Sequence, residues 1–565
     1  MGENKFSRRD ILTGGAIIGG TALGSMLTQS PVEKILEALS LSIIRKAEAE
    51  STGVDGVRNY INIIMAGAPS RYAFDHWLRT NNSDPGLQYN PMVSTKFVNS
   101  GGRAAGVINE YFNYRGLLVP HMFSHNVYNS AGAQRPLTDL LNHMLVIRGY
   151  GTGFDGHPFN ATAQQAPVGG VASVGGMAAD ESKKTFEAVQ WPDRGDFGSF
   201  ASLNGKALNK LSGSPLTNLM EGFGGPQGGR VAARSLKERN IAAYELAQAR
   251  LNAYAKSDAA GASIVAKNLG NAAALMKKGI ADVDGFWAPA VARYKSVIEA
   301  SLRQSGLPGI SDLALISTQD VTWKLHVGAG NFGLVLSADY DLRSCLPTIQ
   351  APYALAEGLA LAEYTLKKGL VTSLDLQAGE MTGVVLKQAG TGVVGSYNVI
   401  HDMHESGAAA GMFYATTYYR GLSAGLLELI DQLKATTING KSVWSETVVQ
   451  LISDFGRSAR SDGSGSDHGF NQMVTSVFSG AFANGPFVVG NITQAGHGGN
   501  YSGTQGIGAP ISGYNQSGRP TPVAATSTVA ALLRLPKNHY ENLAAPLVRL
   551  NGDQLVAVYP GKIVA

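Results

Sequence analysis

Residues 446–470, ETVVQLISDFGRSARSDGSGSDHGF, pass from an apolar, β-branched run into a loop of glycine and serine. The run reads as a buried strand. The loop after it carries Asp454, Arg457 and Arg460 and ends on adjacent Asp467 and His468. A strand that opens into such a loop is the unit of an α/β sheet, in which functional groups gather just past the carboxyl ends of the strands.

The same unit recurs along the chain. VRNYINIIMAG (57–67) leads into APSRYAFDHWL, and NHMLVIRGYG (142–151) leads into TGFDGHPFNATAQQAPVGG. GVVGSYNVIHD (392–402) and GPFVVGN (485–491) read as further strands, with VTWKLHVGAG (321–330) and GLVLSA (333–338) as short ones around a turn. Between them, residues 354–370 have the pattern of an amphipathic helix, and residues 408–436 form a long helix that stops before the Asn439-Gly440 turn. Helical periodicity over about 230–305 marks a helical insertion or flanking layer. Strands alternating with helices predict an α/β domain over residues 50–565, with a largely parallel central sheet flanked by helices.

Composition narrows the function classes. The 565 residues are 44% apolar and 16% charged, ample for a core, and the 70 glycines are scattered rather than periodic. A net charge of +4 is small for this length and gives no reason to expect nucleic acid as a partner. The single cysteine, Cys345, excludes an internal disulfide framework and any cysteine-only metal cluster.

The first 49 residues read as an address. SRRDILTGGAIIGGTALGSML (7–27) pairs Arg8 and Arg9 ahead of an apolar, Gly/Ala-rich stretch and resembles a twin-arginine export signal, with Ile11 in the usual Phe place. Ala47-Glu48-Ala49 offers a small-x-small cleavage site, and a basic N-terminal membrane anchor is the alternative. No later segment reads as a transmembrane helix, so the expectation is a periplasmic or secreted protein with no stable membrane span once the signal is removed.

Four histidines lie beyond strand ends in the last third: His401, His404, His468 and His497. In an extended segment residues two apart share a face, so Asp402 and His404 can reach one ion. Adjacent Asp467 and His468 diverge, which suits two metals, or one ligand and a group that orients it. Zinc takes such mixed nitrogen and oxygen ligands at roughly 2.0–2.2 Å. Two ions about 3.5–4 Å apart would clamp a phosphate or sulfate ester.

The stretch 454–468 resembles the C-terminal signature of a bacterial family of unknown function within the alkaline phosphatase/sulfatase superfamily, commonly exported by the twin-arginine route. That signature is Glu-Phe-Gly-Arg-Thr-Pro, a Gly/Asn-rich loop, then Asp-His. Asp454 takes the Glu place, Arg457 the Arg, Ala459 the Pro, and Asp467-His468 the final pair. His401-Asp402-Met403-His404 is similar to the family's Asp-Thr-His, MAGAPSRYAFD (65–75) to its early Gly-Gly-Pro-Ser segment, and LVIRGYGTGFDGHP (145–158) to a strand-plus-His segment in which His157 takes the His place. The resemblance implies an alkaline-phosphatase-like fold and one or two divalent metals, zinc first, with calcium, magnesium or manganese as other fillings. The ligands would be Asp402, His404, Asp467, His468, His497 and Asp75, and the substrate a small anionic ester. Arg457 would hold a substrate oxygen or form a structural ion pair with Asp454 or Asp462. Asp454 would be a ligand or orient Arg457, and Thr152 is the candidate nucleophile.

The departures are Ala68 for the second early glycine, Tyr72 for an aspartate and Ala73 for a threonine. They keep open a second reading, a non-catalytic envelope or binding protein on a degenerate fold of this type. Three local patterns are set aside. Cys345-Leu346-Pro347-Thr348-Ile349 lacks the arginine of a formylglycine site. Gly421–Gly425 fits Gly-x-Ser-x-Gly but lies within a helix. Gly328–Gly333 fits a dinucleotide fingerprint but opens no helix.

Overall fold

The computed structural model describes residues 56–78, 91–100, 103–184, 186–192, 199–211, 285–304, 340–388, 392–397, 401–493, 507–509 and 518–558. Its central sheet has eight strands: β1 (Asn59–Met65), β2 (Met144–Tyr150), β3 (Phe186–Trp191), β4 (Leu208–Lys210), β5 (Val371–Ala378), β6 (Thr447–Ser453), β7 (Met473–Ser479) and β8 (Phe487–Val489). Their order is β4-β3-β5-β1-β6-β7-β2-β8. Adjacent strands are parallel except around β7, which runs against both β6 and β2. The expected α/β architecture with a mostly parallel sheet is therefore present.

The reversal of β7 positions the loop that opened the sequence reading. Residues 454–472 leave the carboxyl end of β6 and re-enter the sheet at the same edge, because β7 begins where β6 ends. The carboxyl ends of β1 and β2 lie at that edge too, since β1 pairs with β6 in parallel register and Met473 at the start of β7 pairs with Tyr150 at the end of β2.

Four strands escape the sequence reading: β3, β4, β5 and β7. In VTSLDLQA and MVTSVFS, serine, threonine, aspartate and glutamine interrupt the apolar run, yet both strands are buried throughout. Several of the buried polar groups are paired across the sheet: Asn62 donates to Asp375, Tyr150 bonds Thr475 at 2.6 Å, and Ser479 donates to the Thr447 carbonyl. These pairings are tertiary, so they leave no periodic signal in the chain.

Helices cover both faces. α1 (His157–Gln165), α2 (Val174–Asp180) and α6 (Pro522–Leu532) lie on the face of β1 that carries Tyr60 and Asn62. Their core includes Tyr60, Ile147, Met177, Val448, Val477 and Val529. α4 (Leu355–Lys367) packs on the other face, where Gly358 approaches Leu376, and against α5 (Ala408–Lys434). α5 spans about 40 Å and is buried along most of its length, as its run of alanine, leucine and tyrosine requires. The Gly-x-Ser-x-Gly pattern lies inside it. A Cβ on Gly421 would meet Leu302 at 2.5 Å and one on Gly425 would meet Leu359 at 2.7 Å, so these glycines admit neighbouring helices.

Of the expected helical insertion, residues 285–302 form a helix, α3, tied to α4 and α5 through Arg293 bridging Glu363 and Glu428. The remainder up to 284, the signal segment, the 321–338 strands and the Gly328–Gly333 pattern lie outside the described residues. The strand expected over 392–402 is present as Gly392–Tyr397, but in a separate three-stranded antiparallel sheet. No helix among the described residues is long and apolar enough to cross a membrane.

Candidate metal centre

Four loops meet at the carboxyl edge of the sheet. The turn after β1 contributes Gly67 and Ala68, the loop after β2 contributes Asp155 and, at the first position of α1, His157, and residues 401–405 contribute Asp402 and His404. The β6–β7 loop contributes Asp454, Arg457, Asp467 and His468. Residues 401–404 are coiled into consecutive tight turns, with Met403 N–H on the His401 carbonyl and His404 N–H on that of Asp402, instead of the extended segment expected from sequence. Asp402 and His404 still converge, because the turns fold both inward.

Asp402 is the hub. His404 Nε2 lies 3.1 Å from its Oδ1, His157 Nε2 3.6 Å from Oδ2, and His468 Nε2 4.0 Å from Oδ1. Ligand atoms of His157, Asp402 and His468 all lie within 4.8 Å of one another. His404 Nε2 is a further nitrogen at the same point, 3.0 Å from His468 Nε2.

Each ring's other nitrogen faces a carboxylate. His157 Nδ1 bonds Asp454 Oδ2, His468 Nδ1 bonds Asp155 Oδ1 at 2.5 Å, and His404 Nδ1 lies 3.8 Å from Asp467 Oδ1. A carboxylate behind Nδ1 fixes the tautomer and turns the Nε2 lone pair toward the centre, which is how metal-binding histidines are held. The expected divergence of Asp467 and His468 is present in this sense. Asp467 faces the Nδ1 side of His404 and pairs with Arg460 at 2.8 Å, while His468 faces the Nε2 side.

Packing holds the rings in place. Phe455 stacks on His468 with centroids 4.1 Å apart and planes 10° apart, and presents its edge to His157 at 4.7 Å. Gly465 brings the hairpin of Ser458–Ala459 and Ser466–Asp467 against the 404 turn. A Cβ there would sit 1.9 Å from the His404 carbonyl oxygen, and φ is +156°.

Arg457 is fully buried, in the left-handed backbone region at φ +60°. Its guanidinium donates to the carbonyls of Ala68 and Gly67 at 2.8 and 2.7 Å and to Asp402. Its ion pair is therefore with Asp402, in place of the Asp454 or Asp462 expected from sequence, and its Nη1 lies 3.4 Å from His404 Nε2. Asp454 accepts from Gly67 N–H and from His157, so it orients His157 and not Arg457.

Two other expected residues lie elsewhere. Asp75 is fully buried and bonded to Arg71 and Ser476, an internal ion pair with no part in the convergence on Asp402. The Thr152 hydroxyl bonds Asn160 and the Phe470 carbonyl, closing its loop. His497 lies outside the described residues. Asp155 was missed, although Asp155-Gly156-His157 has the same Asp-x-His form as Asp402-Met403-His404.

The charges are strongly coupled. Burial disfavours the His157 cation, but hydrogen bonds to Asp402 and Asp454 outweigh it and lift the ring to about 9. His404 moves the same way, with burial overcome by Asp402 and Asp467. His468 is held low by burial and by the nearby cations Arg457, His404 and His157, against the pull of Asp155. Burial would raise Asp402, yet His157, His404 and Arg457 hold it far below the usual carboxylate range. Asp467 is held down to about 2, burial being outweighed by His404 and Arg460.

A pH prediction follows for the metal-free protein. His157 titrates at about 9 when folded and about 6.5 when unfolded. The folded state thus binds the extra proton in this window, and the stability it contributes is full below pH 6.5 and lost as pH rises through 9. With solvent screening at this partly exposed ring, the loss should be about 2 kcal/mol. Denaturant titrations at pH 6.5 and 9.5 should show it, and His157→Gln should flatten the slope.

The donor set is three imidazole nitrogens and one carboxylate, with the rings pre-oriented by Asp454, Asp155 and Asp467. That set fits a divalent transition metal such as zinc, and lacks the oxygen-rich shell that calcium or magnesium prefers. Among the described residues one group that could hold a metal ion is found, the triad His157, Asp402 and His468 within this set. No protein-family model, curated protein or solved structure matches the chain.

Proposed function

We propose that the protein is an exported, metal-dependent hydrolase of phosphate or sulfate esters, built on an alkaline-phosphatase-like fold. The observation that carries this reading is the convergence of three Nε2 atoms on Asp402, each ring backed by a carboxylate. The motif order around Asp402, Asp454 and His468 and the twin-arginine pattern at Arg8 and Arg9 support the family and the periplasmic or secreted location.

His157, Asp402, His404 and His468 would hold the ion. When bound, a divalent metal would polarise the ester and lower the pKa of a nearby water. The protein residues supply orientation. Arg457 fixes the Asp402 carboxylate, and Asp454 and Asp155 keep the His157 and His468 rings edge-on to the centre. With the Thr152 hydroxyl engaged by Asn160 and Phe470, attack is assigned to water. A water oxygen bonds to phosphorus or sulfur, the ester O–P or O–S bond breaks, and the alcohol leaves with a proton.

The second reading is a non-catalytic envelope or binding protein. It is favoured by the engagement of the candidate nucleophile, Thr152, with Asn160 and the Phe470 carbonyl. Elemental analysis of protein purified without chelators separates the readings when paired with an ester screen. Near-stoichiometric zinc that falls at least tenfold in His468→Ala and His404→Ala, with turnover that falls in parallel, is the expected result. Wild-type protein that takes up none of zinc, manganese, magnesium or calcium would sink the hydrolase reading. Metal without turnover on any phosphate or sulfate ester would favour the binding protein.

A further inference from the structure

Between Ala408 and Leu427 the buried helix α5 carries one charged residue, Arg420. Its side chain is 2% exposed and, with those of Arg71 and Arg457, is among the largest that the fold buries. A guanidinium keeps its charge, so its burial is costly unless an anion answers it. Asp75 answers Arg71, and Asp402 answers Arg457. Among the described residues no carboxylate answers Arg420. Its Nη2 donates to Gln304 Oε1, its Nη1 reaches the Gln304 carbonyl only at 3.5 Å, and its Nε is buried with no partner. Its acceptors thus belong to a single neutral residue. Burial pushes the guanidinium down to about 10, with Tyr128 acting against it.

A second nitrogen nearby is also unsatisfied. His125 Nε2 is buried with no partner. Burial, then the charges of Arg420 and His121, push this ring down to about 3, so it stays neutral with one N–H to give. The packing accounts for the meeting. Ser301, in the last turn of α3, accepts from the Tyr128 N–H at 3.1 Å, and Gln304, just past the end of α3, accepts from Arg420. The short strand Asn126–Tyr128, which follows His125 directly, packs against α5. This place is remote from the metal centre. Arg420 stands about 18 Å along α5 from Ala408, whose N–H bonds Gly463 in the 454–472 loop.

We propose that Arg420 and His125 form a second binding site, for a small oxyanion, separate from the metal centre and independent of the hydrolase reading. A carboxylate, phosphate or sulfate offers several oxygens to the planar fork of an arginine, and the His125 N–H is a further donor. Such an anion would supply the counter-charge that Arg71 and Arg457 find within the chain. The depth of Arg420 restricts the ligand to a small one.

The test titrates phosphate, sulfate and acetate by calorimetry into the full chain as purified, in chloride buffer at constant ionic strength. Wild type should take up one equivalent that Arg420→Met does not, whatever the metal centre binds in both. If phosphate and sulfate fill it, the site takes tetrahedral oxyanions; if acetate alone does, it takes a carboxylate. Arg420→Lys should weaken this uptake at least about tenfold, because an ammonium lacks the fork. Arg420→Met keeps the aliphatic bulk without the charge, so in chloride alone it should melt at or above the wild-type midpoint. Equal uptake by wild type and Arg420→Met, including none by either, would overturn the site. An Arg420→Met chain that melts well below wild type in chloride, or fails to fold, would also overturn it, since the charge would then be answered within the protein.

Discussion

Replacing Asp402 with asparagine should remove metal binding and destabilise the protein by about 1–3 kcal/mol, less than the loss of a fully buried pair because the Asp402 carboxylate is about a third exposed and screened by solvent. The size follows from what Asp402 does. Its carboxylate is the convergence point of three imidazoles and the counter-charge of Arg457, whose side chain is fully buried. Asparagine keeps the shape but not the charge, so Arg457 would keep only the carbonyls of Gly67 and Ala68 as strong acceptors. Chemical denaturation and elemental analysis on the same preparation read the two effects. Asp402→Asn combined with Arg457→Met should regain a large part of the stability, since the stranded charge is gone, yet bind no metal. If Asp402→Asn retains stoichiometric metal, the proposed centre is wrong. If it unfolds at the wild-type midpoint, the buried pair carries no stability.

Asp75→Asn should cost more, about 3–5 kcal/mol, while leaving the metal site intact in protein that remains folded. Arg71 and Asp75 are both fully buried, and Arg71 also donates to the carbonyl of Val474 at 2.9 Å. The carboxylate is gripped by Arg71 and by Ser476 of β7. Removing its charge leaves a guanidinium in an apolar interior with neutral acceptors only. The expected outcome is a large fall in denaturation midpoint with unchanged metal per folded molecule. Loss of metal in a variant that keeps its stability would return Asp75 to the role suggested by its place in the motif. The contrast with Asp402→Asn is informative because both positions are aspartates in matched motifs, and only their surroundings separate them.

Much of the centre was legible before folding. Asp402, His404, Asp467 and His468 stand out because acidic and imidazole residues two or one apart, just past an apolar strand, have few structural uses. Asp402, His404 and His468 meet as expected, and Asp467 stands one step back, behind His404. His157 was marked by its motif alone, and its partner Asp155 was passed over although the Asp-x-His form was present twice. Arg457 stands in the motif at a position the structure buries against Asp402, but a one-dimensional pattern carries no information on which way a guanidinium points. Its direction is set by the turn at Gly67 and Ala68, nearly four hundred positions away, whose carbonyls draw the fork inward.

The sequence by itself determined the alternation of strand and helix, the long helix α5, the loop chemistry at 454–468 and the exclusion of disulfide and cysteine-metal chemistry. These depend on local periodicity and composition, which survive in one dimension. Only the tertiary structure decided the rest. Strands β5 and β7 carry polar residues that read as surface until Asn62 and Tyr150 on neighbouring strands, and Asp75 in the turns after β1, are seen to pair with them. The antiparallel course of β7 is likewise invisible in its own residues, yet it returns the 454–472 loop to the edge where β1 and β2 end. Hydrogen bonds and ion pairs between distant segments form only once the hydrophobic faces have packed and excluded water, so the pairing of each buried charge is a property of the packed fold.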